Sequence, residues 1–145
     1  MVSEYAIAGA LALLFWSEPI PTYDLDVLVF LPETQGPIVS LYGLYRWAES
    51  RGYRSDKEHI IIEDLPVQFV PANSALADEA IETAAVVTYG STAVRVVRPE
   101  YLVALYLEGS AATAKRRARA AVLRESGKVD ETRLRDLAQR FKIPL

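Results

Sequence analysis

Thr22-Tyr23-Asp24-Leu25-Asp26-Val27-Leu28-Val29-Phe30 is the stretch on which the reading of this chain turns. Most of it is apolar and β-branched, which predicts a buried strand from about Tyr23 to Leu31. A strand has a side-chain period of two, so Asp24 and Asp26 project from one face with their Cα atoms roughly 7 Å apart. Two ionised carboxylates at the entrance to a core are costly unless something positive sits between them. A hard divalent cation, most simply Mg²⁺, meets that need. It takes a few carboxylate oxygens and leaves its other positions to water and phosphate.

Working outward, Tyr5-Ala6-Ile7-Ala8 is a short apolar run, followed by Gly9-Ala10 and the helix-prone Leu11-Ala12-Leu13-Leu14-Phe15-Trp16. That order predicts strand, tight turn and helix start. A glycine at the turn lets backbone approach a ligand, and the free N–H groups of a first helical turn favour an anion such as phosphate. A metal site and a phosphate cradle are therefore expected side by side. The plainer alternative for Gly9 is a packing glycine between strand and helix. For the carboxylates it is a turn-capping Asp24 followed by an edge-strand Asp26 facing water.

The succession of apolar strand, Gly-small turn, helix and Thr-x-Asp-x-Asp strand resembles the nucleotidyltransferase superfamily, in particular its small abortive-infection-type (AbiEii-like) branch. Further similarity lies in Pro66-Val67-Gln68-Phe69-Val70-Pro71-Ala72, in Arg98-Pro99-Glu100-Tyr101-Leu102-Val103-Ala104-Leu105 and in the closing segment from Val129 to Leu145. The resemblance implies one α/β (α+β) domain over residues 1–145. Its α/β core, a small mixed β-sheet flanked by helices, covers 1–97, and a helical C-terminal part covers 98–145. It also implies Mg²⁺ on Asp24 and Asp26, a nucleoside triphosphate as donor, and attack on its α-phosphorus by an unknown acceptor, tRNA or protein. A toxin-type component of a two-gene defence system is the biological role implied, with a second copy or a cognate protein as partner. Such proteins often carry a helix before the first strand, which Met1–Glu4 is too short to supply.

The same resemblance assigns Gly9, Ala10 and Thr22 to the nucleotide, with Thr22 orienting one carboxylate. Ala10 keeps a backbone N–H but lacks the hydroxyl found there in related proteins. Gln68 stands where a third carboxylate is common; its amide can touch a metal or an acceptor but cannot act as a base. Tyr106 stands where a lysine is common, and Arg116 where an acid is. In Lys115-Arg116-Arg117-Ala118-Arg119, Lys115 and Arg119 share a helix face four residues apart and are the candidates for neutralising the triphosphate. These departures keep a second reading open, a catalytically weakened module that holds nucleotide or a partner in the same cleft.

The chain has 145 residues, of which 51% are hydrophobic and 24% charged, the balance of one globular domain with a proper core. It has no cysteine, which excludes a disulfide scaffold and a zinc-thiolate centre. The apolar run from Ala6 to Trp16 is too short for a membrane span and no basic segment precedes it, so the cytoplasm is the expected compartment. Net charge is −3, but residues 1–94 hold 4 Lys/Arg against 13 Asp/Glu while residues 95–145 hold 12 against 6. The basic half can face phosphates, or simply carry solvated helix faces; overall acidity speaks against a general nucleic-acid binder.

Elsewhere, Pro32–Pro37 reads as a loop and 38–51 as a core-packing helix ended by Gly52. His59–Glu63 and Val67–Val70 read as a hairpin turning at Asp64-Leu65-Pro66. Asn73 or Ser74 caps a helix to about Ala84, and a second hairpin turns at Gly90-Ser91. Helices follow to the end, with Pro99 in a first turn, Thr113 and Asp130 as caps and Gly127 as a stop. His59 reads as a strand-end residue, Trp16 and Trp47 as core and boundary aromatics, and Glu100 as favoured by the helix dipole.

Overall fold

A computed structural model describes residues 4–31 and 41–145. The predicted loop 32–37 and the start of the predicted helix at 38 lie outside the described residues. The described chain is a mixed α/β fold in which seven strands form one sheet in the order β3-β4-β5-β2-β1-β7-β6. β1 (Glu4–Ala8) and β2 (Leu25–Phe30) are antiparallel neighbours joined through α1 (Gly9–Trp16). β5 (Leu65–Pro71) lies parallel to β2 on its other side. β3 (Arg54–Asp56) and β4 (His59–Ile62) extend the sheet beyond β5, and β6 (Ala85–Tyr89) and β7 (Thr92–Val96) extend it beyond β1.

Alternation along β2 divides its side chains between two environments. Leu28 joins the main core, whereas Val27 and Val29 join Val67 in a smaller cluster with Leu25, Leu31, Ile62 and Phe69 around it. The main core is built by helices. α4 (Pro99–Leu107) is buried over nearly its whole surface, and α3 (Ala75–Glu82), α5 (Ala114–Glu125) and α6 (Glu131–Phe141) pack with it. α2 (Tyr42–Ser50) lies beside β3, outside this core, and buries Leu44 and Ala48. Capping sets the helix starts as the sequence predicts: Ser74 accepts from the Ala77 N–H, Thr113 from Arg116, and Asp130 from Thr132 and Arg133. Trp16 is a core aromatic whose Nε1–H donates to the Val97 carbonyl at 2.9 Å.

Three local features differ from the sequence expectation. β2 begins at Leu25, so Tyr23 and Asp24 form a bend ahead of the ladder. The β4–β5 hairpin turns at Glu63-Asp64, both with positive φ, because a two-residue turn of that hand matches strand twist and Leu65 and Pro66 already belong to β5. β3 carries Arg-Ser-Asp, fully exposed at the sheet edge, and so gives no hydrophobic pattern to read. Glu100 does more than favour its own helix: it is 5% exposed and its Oε1 accepts from the Asp130 N–H, tying α4 to the start of α6.

Helices α3, α4 and α6 are also joined by Glu79, whose carboxylate accepts from Tyr101 at 2.5 Å and from Arg140 at 2.7 and 3.0 Å. Arg140 and then Tyr101 hold the Glu79 carboxyl below its usual range. A lowered folded-state pKa gives stability that is present above the unfolded value and lost as pH falls through the folded one. Glu79→Gln is therefore expected to lower Tm at neutral pH and to flatten the acid limb of a Tm-against-pH curve.

Candidate functional site

The site begins with strand register. Ala8, Asp26, Gln68 and His59 pair in succession across β1, β2, β5 and β4, so their side chains share one face of the sheet. Gly9 follows Ala8 directly and turns the chain into α1 with φ +61°. A Cβ built on Gly9 would lie 2.0 Å from Asp26 Oδ2. Only glycine permits both the backbone conformation and that approach. The predicted glycine turn and the second carboxylate thus lie against each other.

Asp24, in the bend before β2, reaches the same side. Its Oδ1 accepts from the Thr22 hydroxyl at 3.1 Å, the orienting contact expected of Thr22, and its Oδ2 lies 3.3 Å from His59 Nε2. Asp24 lines a recess of about 390 Å³ with Thr22, His59, Lys115 and Arg119. Asp26 lines a neighbouring recess of about 450 Å³ with Gly9, Gln68, Tyr106, Arg116 and Arg119. Arg119 borders both recesses.

Of the predicted residues, the structure gathers Asp24, Asp26, Gly9, Thr22, Gln68, Lys115 and Arg119 around these two recesses. Lys115 meets only the one beside Asp24. Ala10 is 4% exposed and buried in the first turn of α1, not a lining residue of either recess. Arg116 packs inward: its guanidinium donates to the Leu105 carbonyl at 2.6 Å and lies over the Tyr106 ring.

His59 lines the site although the sequence reading assigns it no part in the chemistry, and Tyr106 lines it although that reading notes it only as a departure. His59 was not legible from the predicted hairpin: a turn at Asp64-Leu65-Pro66 sets His59 opposite Pro71, and the observed Glu63-Asp64 turn is what brings it opposite Gln68. For Tyr106 the signal was the resemblance, which marked it as a departure from a common lysine; it comes from the last turn of a largely apolar helix.

Charge at the site is unbalanced. Burial, and then Asp24, push the Asp26 carboxyl above its ordinary range, while Arg119 and His59 pull it back. Burial pushes the Tyr106 hydroxyl up to about 12. Among the described residues, no three His, Cys, Asp or Glu side chains converge as a complete protein-built metal cage. Two carboxylates in a half-buried cleft suit a Mg²⁺-like ion that keeps most of its shell for water and phosphate. They fall short of the three or four protein ligands that a zinc site takes.

Among the described residues no helix is long and apolar enough to cross a membrane. No protein-family model matches this chain, and no curated protein matches it.

Proposed function

We propose that this protein is a metal-dependent nucleotidyltransferase-type protein that moves a nucleotide from a nucleoside triphosphate to an acceptor. The observation that carries the reading is the close stacking of the Gly9 turn on Asp26, with Asp24 beside it and Arg119 bordering both recesses. Asp24 and Asp26 are the residues that would hold the divalent cation. When bound, that ion offsets phosphate charge and stabilises the charge that builds as pyrophosphate leaves. Thr22 fixes the Asp24 carboxylate, Gly9 admits a phosphate close to backbone, and Arg119 and Lys115 supply the fixed positive charge.

A second reading is favoured by Gln68. Opposite Asp26 in the register it is a neutral amide, unable to take a proton from an attacking hydroxyl. On that reading the cleft binds nucleotide, or a partner, without turnover. Incubation with radiolabelled nucleoside triphosphates, Mg²⁺ and total tRNA or protein separates the two. Label transfer that disappears in Asp24→Asn supports the enzyme, and calorimetric binding with no transfer supports the module.

Arg119→Met is expected to weaken nucleotide binding roughly 10- to 100-fold, the loss of a charge-assisted contact, and Lys115→Met by less. Equal effects of the two substitutions in calorimetry would contradict the central place of Arg119.

A further inference from the structure

The Tyr106 hydroxyl is buried and its proton meets no acceptor among the described residues, the Arg119 guanidinium beside it being itself a donor. The residue is 5% exposed and lines the same recess as Asp26, Gly9 and Arg119. Buried polar groups are normally paired, since each unpaired one costs the desolvation of a donor. If this ring served packing alone, a phenylalanine would serve it at lower cost. The ring is also held in place: the Arg116 guanidinium lies 5.7 Å from its centroid and is itself anchored on the Leu105 carbonyl at 2.6 Å.

The surroundings define what the hydroxyl can meet. A phenol is protonated at neutral pH, so the hydroxyl has a proton to donate. Arg119, a second donor with a fixed charge, is its neighbour. Two donors at one corner of a recess call for an anionic oxygen, and on the reading proposed above that oxygen belongs to a phosphoryl group.

We infer that Tyr106 is a nucleotide-binding residue whose O–H donates to a phosphoryl oxygen that Arg119 also contacts. The inference rests on the nucleotide reading of the site. It carries an unusual signature: loss of the hydroxyl weakens binding without weakening the free protein.

The test is Tyr106→Phe, followed by calorimetry and by thermal melting without ligand. The probes are the α,β-methylene analogues of the four ribonucleoside triphosphates and inorganic pyrophosphate, each with Mg²⁺. Expected are a roughly 10- to 100-fold weaker Kd for whichever analogue the unaltered protein binds, and a ligand-free Tm unchanged or higher. Loss of affinity for the analogue and pyrophosphate together assigns the contact to the leaving phosphates. Loss for the analogue alone assigns it to the α-phosphate.

Two results overturn the inference while sparing the nucleotide reading. One is an unaltered Kd in the variant. The other is a lower Tm or failure to fold, which means that the hydroxyl is spent on a partner within the protein. Absence of binding by the unaltered protein to every probe is the distinct result that removes the nucleotide reading, and this inference with it.

Discussion

Replacing Asp24 or Asp26 with asparagine is expected to lower the rate of label transfer roughly 100- to 10,000-fold, because several kcal/mol of transition-state charge stabilisation depend on the cation those carboxylates hold. Chelating the divalent ion is expected to have the same effect on the unaltered protein. The two variants separate in stability. Asp26 is pushed up by burial and by Asp24, so the folded protein holds its proton more tightly than the unfolded chain does. Stability from such a group is full in acid and is lost as pH rises through the carboxylate range. Asp26→Asn is therefore expected to raise the ligand-free Tm at neutral pH and to change it little in acid. A variant more stable but inactive marks a residue kept for function against the interest of the fold. Asp26→Asn with full activity, or with a lower Tm at neutral pH, would contradict this account.

Gly9→Ala is the substitution expected to harm the fold most for its size. It introduces a side chain at φ +61° and sets a Cβ against Asp26 Oδ2. The left-handed conformation and the overpacking together cost about 2–4 kcal/mol. For a chain of this length that is a fall of roughly 5–15 °C in Tm. The collision is with the carboxylate itself, so nucleotide binding is expected to fall as well, even well below the new Tm. Gly9→Ala combined with Asp26→Ser, which shortens the obstructing side chain, is expected to recover part of the lost Tm and none of the activity. Thermal melting of the single and double variants measures this directly. Purely additive effects would mean that the two residues do not touch.

Much of the architecture was legible because local chemistry and global fold agree. The caps Ser74, Thr113 and Asp130 start their helices in the structure, and Gly90-Ser91 joins β6 to β7. What could not be read lacked a hydrophobic period. β3 is charged on an exposed edge, and the Glu63-Asp64 turn uses non-glycine residues at positive φ, where Pro66 misleads. The site divides in the same way. Asp24, Asp26 and Gly9 are close in sequence and their nearness follows from one strand-turn-helix-strand unit. Lys115 and Arg119 could be proposed as one helix face, but that this face lies over the carboxylates is a matter of tertiary packing. His59 reaches the site through a strand register that the predicted turn does not give, and Tyr106, marked in sequence only as a departure from a common lysine, through helix packing.

The central claim is that Asp24 and Asp26 share a divalent cation that also meets a polyphosphate. Crystals grown with Mn²⁺ and an α,β-methylene nucleoside triphosphate, measured at the manganese absorption edge, test it most directly. The account predicts an anomalous peak coordinated by both carboxylates, with phosphate oxygens in the same shell and the phosphate chain beside Gly9 and Arg119. An ion bound elsewhere, or an analogue seated in the cleft with no metal between it and the two carboxylates, would contradict it.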